Sequence, residues 1–229
     1  MVNVNLYKEI SKELVTRKVT LVAVSKTKSI EEILELYNLG QRDFGENYVQ
    51  ELLEKFQQLP KDIRWHFIGH LQSNKVKLIA PFVSLIQSVD SEKLLKEINK
   101  EAKKNNRIID CLLQIHIAKE ETKFGLNEEE LNDLLKRISS PLEKSYQNLD
   151  IKGIMGMASF TPDKEIVRKE FRYLKSLFDK HSSVSEIAGL TFRVLSMGMS
   201  GDYKIAIEEG SNMVRIGSLL FGKRNYASG

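Results

Sequence analysis

The segment "VTLVAVSKTKSIEEILELYNLGQRDFGE", residues 19–46, contains a complete strand, helix and second strand. Residues 19–25 are mostly branched and apolar, which is typical of a buried strand. The apolar side chains of residues 30–37 recur at helical spacing, and residues 43–46 form a second short strand pattern. Hydrophobic strands joined by helices form parallel sheets, so this segment predicts one unit of an α/β fold.

The same alternation of strand and helix patterns continues along the whole chain. Before it, Leu6, Ile10 and Leu14 recur every four residues and predict an amphipathic N-terminal helix. We predict eight strands in all, at residues 19–25, 43–46, 64–69, 84–89, 109–116, 151–158, 192–197 and 212–217. Eight such units in 229 residues predict a single-domain TIM (β/α)8 barrel over residues 1–229, with a doubly wound open sheet as the alternative. Residues 139–150 predict a mobile surface loop before the sixth strand.

The composition argues against several classes of partner. The formal net charge is only +4 and the two signs are interspersed, so we predict no nucleic-acid partner. No stretch approaches the roughly 18 apolar residues that span a bilayer, so we predict a soluble protein with no membrane partner. The lone cysteine, Cys111, can form no internal disulfide, which favours a reducing cytoplasm.

Functional residues of a TIM barrel lie at the C-terminal ends of its strands. The residues at those ends are Lys26, Glu46, Asn47, Gly69, His70, Ser88, His116, Met157, Ser159, Ser196 to Ser200, and Arg215 to Ser218. The amine of Lys26, if held partly out of water, would be neutralised more easily and could condense with an aldehyde. The alternative is an ordinary surface lysine that extends its amine into solvent. For Lys28, two residues further on, we predict a solvated neighbour of Lys26.

The seventh and eighth strand ends both place glycine and serine before a helical pattern. Ser200 begins "SGDYKIAI", and Gly217 with Ser218 begins the last segment. Glycine lets backbone amides approach an anion closely, and serine hydroxyls donate hydrogen bonds to it. Because these two loops are the usual phosphate-binding loops of TIM barrels, they predict a phosphate site opposite Lys26.

Motifs along essentially the whole chain carry a family resemblance. They are "LVAVSKTKS" at 21–29, "FGENYVQE" at 44–51, "WHFIGHLQSNK" at 65–75, "KFGL" at 123–126, "GIMGMASF" at 153–160, "LSMGMSGDYKIAIEEGS" at 195–211 and "VRIGSLLFG" at 214–222. In this combination the chain resembles the pyridoxal 5′-phosphate homeostasis protein family. That family shares its barrel with the N-terminal domain of alanine racemases.

The resemblance implies a set of cofactor contacts. It implies that Lys26 forms an internal aldimine with pyridoxal phosphate and that Asn47 lies beside the cofactor. It implies that Ser200, Gly217 and Ser218 hold the phosphate, and we add Ser196 to the predicted cofactor-binding residues. Arg215 is implied to face the pyridine nitrogen. No residue is assigned a catalytic role, and no metal ligand is predicted.

An arginine at the position of Arg215 restrains the chemistry of the cofactor. A guanidinium group does not give up its proton, so it leaves the pyridine nitrogen largely unprotonated and makes the ring a weaker electron sink. Without the resemblance, the alternative for Arg215 is an ion pair with Glu208 or Glu209.

Three functional hypotheses follow. The first is an intracellular carrier that holds pyridoxal phosphate without robust catalysis, acts as a monomer, and passes the cofactor to apo enzymes or exchanges it with free amino acids. The second is a small racemase-like enzyme. In racemases with this barrel a further β domain contributes a tyrosine, whereas only "KRNYASG" follows the last motif here, with Tyr226 as a conceivable substitute. An unrelated phosphosugar enzyme is a third alternative.

The histidines do not indicate a metal site. His66 and His70 are four residues apart, but "HFIGH" crosses a strand end and lacks the glutamate of a zinc-protease motif. We therefore predict that His66 is packed in the interior and that His70 is a polar residue of the rim.

Overall fold

Eight parallel strands form a closed barrel in the computed structural model, which describes residues 2–118, 124–140, 146–188 and 192–222, without the side chains of 183–188. The strands are β1 (Thr20–Val24), β2 (Asp43–Glu46), β3 (Arg64–Phe67), β4 (Leu85–Val89), β5 (Ile109–Ile115), β6 (Leu149–Gly156), β7 (Val194–Met199) and β8 (Met213–Ile216). Each pairs with its neighbour in chain order, and β8 returns to β1. The predicted TIM barrel is confirmed.

Helices follow the strands in the alternation that the sequence predicts. They are α1 (Val4–Thr16), α2 (Ile30–Asn38), α3 (Val49–Gln58), α4 (Val76–Ile79), α5 (Glu92–Lys104), α6 (Glu128–Ile138), α7 (Lys164–Ala188), α8 (Tyr203–Glu208) and α9 (Ser218–Phe221). A short 3₁₀ turn, Ser73–Lys75, precedes α4. Side-chain caps begin several of them; Ser91, for example, accepts a hydrogen bond from the backbone N–H of Leu94.

The pairing of β1 decides between the two predicted topologies. On one side Ala23 lies opposite Phe44 of β2, and on the other side Thr20 lies opposite Met213 of β8. An open doubly wound sheet would leave two unpaired edges, so that alternative is wrong. The predicted strand positions agree within about two residues; β6 and β7, predicted at 151–158 and 192–197, are the two with the largest offsets.

Apolar side chains fill two separate spaces. A large cluster between the strands and the helices includes Phe44, Trp65 and Phe171, all of which are fully buried. A smaller cluster of Val22, Leu85, Leu112, Met155 and Met213 is formed by strand residues. Residues two apart on a strand share a face, so Gln87 and Arg215 point to the same side as the smaller cluster, into the barrel. The interior therefore carries polar groups beneath the mouth.

The predicted loop at 139–150 follows α6 and includes the first residues of β6. Its residues 141–145 lie outside the described ranges, so its predicted mobility stays a prediction. Tyr146 is buried, and its hydroxyl group donates to Oε1 of Glu92 at 2.7 Å. In the described part of the chain, no helix combines the length and apolar character needed to cross a membrane.

Candidate functional site

A cavity of about 390 Å³ opens at the C-terminal ends of the strands. Its lining residues are Val24, Lys26, Lys28, Asn47, Ile68, Met157, Phe160, Met199, Ser200, Gly201, Arg215, Gly217, Ser218 and Gly222. Six of the seven predicted cofactor-binding residues are in this set, and Ser196 is not. The C-terminal ends of the barrel strands therefore bring together side chains that are far apart in sequence.

Lys26 lies in the turn that follows β1. The backbone N–H of Ser25 still donates to the carbonyl of Gly45 at 3.0 Å, and the N–H of Lys28 closes the turn onto the carbonyl of Ser25 at 3.0 Å. Lys26 is half-buried in the wall of the cavity. The end of a fully paired strand thus places this amine at the barrel mouth.

The two glycine–serine loops form the opposite wall. The hydroxyl oxygen of Ser200 accepts a hydrogen bond from the backbone N–H of Gly217 at 3.2 Å, which ties the two loops together. A Cβ atom at Gly217 would lie 3.2 Å from the carbonyl oxygen of Val24 and 3.3 Å from its Cβ, so only glycine fits without displacing β1. Gly201 has no atom within 4 Å of a Cβ position and is open to the cavity. The loops thus present unobstructed backbone to a ligand.

Arg215 forms part of the cavity wall and is held from below. Its Nη1 donates to the hydroxyl oxygen of Ser196 at 2.5 Å, and its Nη2 donates to the carbonyl of Gly156 at 3.0 Å. Burial lowers the pKa of Arg215 to about 10, so the guanidinium group stays charged at neutral pH. Glu208 and Glu209 pair instead with Arg168, so the predicted alternative ion pair of Arg215 is wrong.

Ser196 has a different place from the one that we predicted. β7 continues to Met199, so Ser196 lies inside the barrel, fully buried, rather than at the strand end. There it accepts from Arg215 and donates to Oε1 of Gln87 at 2.7 Å. Its contacts support the arginine, and it does not line the cavity.

Gln87 extends this contact into a chain of hydrogen bonds through the barrel. Its Nε2 donates to Nδ1 of His66 at 2.9 Å, and Nε2 of His66 donates to Oδ1 of Asp43 at 3.0 Å. Burial alone would raise the pKa of Asp43, but hydrogen bonds from His66 and Arg64 outweigh it and hold that pKa at about 2. His66 is packed, as predicted. Sequence reasoning missed Gln87, although a glutamine inside the apolar run "LIQSV" was a signal.

Lys28 is a second cation of the cavity wall. We expected a solvated neighbour of Lys26, but its side chain is only 13% exposed. Its Nζ donates to the carbonyl of Phe221 at 2.9 Å and lies 3.9 Å from Glu32. That prediction was wrong because the turn after β1 directs residue 28 toward α9, which sequence spacing does not reveal.

The residues fit pyridoxal phosphate on grounds of their own chemistry. Oδ1 of Asn47 is buried and has no hydrogen-bond partner within the described residues, so the cavity presents an unused acceptor. Lysines and an arginine line the wall, and no carboxylate is among the lining residues that the structure describes. A phosphorylated, anionic ligand with a polar ring suits this set. The described residues contain no group of three metal-binding side chains.

Comparisons with known proteins agree with this geometry. Residues 4–225 match the family model of the alanine racemase N-terminal domain. The chain is also 42% identical over 207 residues to the pyridoxal phosphate homeostasis protein of Aquifex aeolicus, an alignment that covers 90% of this chain and 87% of the relative. The chain belongs to the pyridoxal phosphate homeostasis protein family. The resemblance noted in its motifs is thereby confirmed.

Solved structures extend the likeness of this family member. The structure of PipY from Synechococcus elongatus with pyridoxal phosphate bound has a TM-score of 0.78 and 33% identity, and the match covers 90% of this chain and 93% of that chain. The alanine racemase of Bartonella henselae, with covalently bound pyridoxal phosphate, has a TM-score of 0.71 at 17% identity, covering 95% of this chain and 61% of that chain. At that identity the racemase likeness shows a shared fold alone.

Proposed function

We propose that this protein binds pyridoxal phosphate, attaches it covalently through Lys26, and holds it for cellular homeostasis of the cofactor without robust turnover. One observation carries the proposal: a single cavity places the amine of Lys26 together with Asn47, Arg215 and the two glycine–serine loops. The name of the Aquifex relative and the cofactor-bound PipY structure support it.

Each wall residue has a role that its chemistry allows. When bound, pyridoxal phosphate supplies an aldehyde that a primary amine can attack, together with a phosphate and a ring nitrogen. The hydroxyl of Ser200, which the N–H of Gly217 holds in place, and the backbone amide of Ser218 would donate to the phosphate. The guanidinium of Arg215 would donate to the ring nitrogen, and Oδ1 of Asn47 would accept from a polar group on the ring.

Lys26 supplies the covalent link in this proposal. Its amine must be neutral to act as a nucleophile, and the residue lies half-buried in the cavity wall. Arg215 keeps its proton at neutral pH, so it orients the ring without adding a proton to it. This combination favours holding the cofactor over using it as an electron sink.

Apart from Lys26, the titratable groups of the described cavity wall are the amine of Lys28, which donates to the carbonyl of Phe221, and the guanidinium of Arg215. Racemisation transfers protons on two faces of the substrate, and the described lining contains no carboxylate, imidazole or phenol. Tyr226, the substitute suggested by the sequence, lies outside the described residues. Racemase-like chemistry therefore stays the second candidate.

Incubation of the cofactor-loaded protein with each common L-amino acid separates the two candidates. A carrier exchanges its cofactor with the amino acid once per site and forms no D-amino acid. Absorbance spectra measure the exchange, and chiral chromatography measures the product. Accumulation of D-amino acid over many turnovers contradicts the carrier role, and Lys26→Ala serves as the control for any turnover.

We further propose that apo enzymes dependent on pyridoxal phosphate receive the cofactor at the barrel mouth. Four large apolar side chains are exposed near the C-terminal strand ends, which supports contact with other proteins there: Tyr48, Phe124, Phe160 and Met199.

We also propose that the protein is a monomer, which light scattering during gel filtration tests. We propose a location in the cytoplasm, where the thiol of the buried Cys111 would stay reduced.

A further inference from the structure

A buried ammonium group lies behind the turn that carries Lys26. It belongs to Lys55 of α3, which is only 4% exposed. Its Nζ donates to the carbonyl of Ser25 at 2.6 Å, to Oε1 of Glu46 at 2.7 Å and to Oε1 of Glu51 at 2.6 Å. An ammonium group has three N–H donors, so these bonds use all of them. Lys55 is thereby fixed in place as a structural cation.

Lys55 and its partner Glu51 bind the backbone of both neighbours of Lys26. Lys55 holds the carbonyl of Ser25 directly, and Oε1 of Glu51 accepts a hydrogen bond from the backbone N–H of Thr27 at 2.5 Å. Thr27 has φ of 63°, a left-handed conformation that is uncommon for a β-branched residue and must be held by its surroundings. The backbone is therefore fixed immediately before and immediately after the attachment lysine.

The same cluster also holds the end of β2 through Glu46. Oε1 of Glu46 accepts from the hydroxyl of Ser25 at 2.6 Å as well as from Lys55, and its side chain is fully buried. Burial raises the pKa of Glu46 to about 7 in spite of these two donors. Because Asn47 is the next residue, the cluster ties the ends of β1 and β2 together beneath two residues of the cavity wall.

We propose that Lys55 is a positioning residue for Lys26, which it holds in the geometry for attack on the cofactor aldehyde by clamping the turn at Ser25 and Thr27 against α3. This inference rests on the proposed function, because it concerns the attachment step. A buried ion pair adds little stability compared with an apolar replacement, so stability alone does not account for an ammonium group and a carboxyl group buried together at this place.

The test compares a ligand that can attach to Lys26 with one that cannot. Pyridoxine 5′-phosphate carries an alcohol in place of the aldehyde, so it reports on the phosphate and ring contacts alone. In Lys55→Met we expect the rate of borohydride-reducible adduct formation with pyridoxal phosphate to fall by about tenfold or more, because attack depends steeply on the position of the amine. The affinity for pyridoxine 5′-phosphate should be unchanged.

A matched lysine at the opposite end of the barrel provides the control. Lys152 is also largely buried and pairs with two carboxylates, Asp110 and Asp150, near the start of β6. Lys152→Met should leave the rate of adduct formation unchanged. The double variant Glu46→Gln with Lys55→Met also removes the buried carboxyl group that the single variant leaves without its ammonium partner. Thermal melts show whether each variant folds.

The outcomes separate this inference from the proposed function. Wild-type protein that forms no adduct at Lys26 overturns both. If the wild type forms the adduct and the folded Lys55 variants form it equally fast, only the positioning role is overturned. If the Lys55 variants lose adduct formation with pyridoxal phosphate and affinity for pyridoxine 5′-phosphate to the same extent, or if both variants fail to fold, the role of Lys55 is purely structural. Either result overturns the positioning role as well.

Discussion

At the residue scale, the contact between Gly217 and Ser200 joins the two loops that we propose hold the phosphate. Gly217 leaves no room for a side chain next to Val24, and its N–H reaches the hydroxyl of Ser200. These two small residues come from loops that follow different strands, β7 and β8. The loops are thereby held close enough to grip one anion from two sides.

We expect Ser200→Ala and Gly217→Val to weaken cofactor retention more than they weaken folding. Ser200→Ala removes one donor to a charged group, which is worth about 1.5–3 kcal/mol, or roughly a factor of ten or more in Kd. Gly217→Val places a branched side chain against Val24 and displaces the loop that we propose holds the phosphate. Fluorescence titration with pyridoxal phosphate measures retention, and thermal melts without it measure folding.

An exposed serine serves as the control for these substitutions. Ser176 on α7 donates only to the carbonyl of Tyr173, and Ser176→Ala should change neither Kd nor the melting temperature. A Kd for the Ser200→Ala variant equal to that of the wild type would show that this hydroxyl does not contact the phosphate.

At the element scale, the polar chain inside the barrel connects five strands. It extends from Arg215 on β8 through Ser196 on β7, Gln87 on β4 and His66 on β3 to Asp43 on β2. Buried polar groups are costly unless every member has a partner, and each of these side chains does. The orientation of the arginine in the cavity wall is therefore set by strands on the far side of the barrel.

The charge on Asp43 gives this chain a pH dependence. The pKa of Asp43 is about 2 in the folded protein against an ordinary value of 3.8, so its carboxylate contributes about 2 kcal/mol above pH ~4. A depressed acid pKa means that this contribution is lost as the pH falls through the folded pKa. We expect Asp43→Asn to lower the free energy of unfolding by about that amount at pH 7, and the gap to the wild type to be roughly half as large at pH ~3.

Urea unfolding of both proteins at the two pH values measures this gap. Comparison of the variant with the wild type cancels the effect of the other carboxylates, because their protonation destabilises both proteins alike. A gap that is the same at both pH values would mean that the pKa of Asp43 is not depressed by His66 and Arg64.

At the scale of the whole molecule, hydrophobic periodicity was enough to predict the barrel. Branched apolar runs such as residues 19–25 alternate with helical patterns, and eight such units leave few other ways to bury every strand. The positions of Lys26 and Gly217 at the ends of their strands then predict that the two residues lie close together. That inference needed only the rule that parallel strands end on one face.

The residues that the sequence misplaced depend on information that periodicity does not carry. Ser196 was expected in the cavity because β7 was predicted to end at 197, two residues short of its end at Met199. The sequence pattern predicts nothing for Lys55, and only the packing of α3 against β1 and β2 shows that its ammonium group is buried. Side-chain depth is a tertiary property, and a single sequence reports it poorly.

The most direct measurement of the central claim is mass spectrometry of the protein after pyridoxal phosphate is added and the mixture is reduced with borohydride. The proposal predicts a phosphopyridoxyl mass on the peptide that contains Lys26, at close to one per chain, and its loss in a Lys26→Ala variant that still folds. A wild-type protein with no such mass on that peptide, or with the mass spread evenly over surface lysines, would contradict the proposed function.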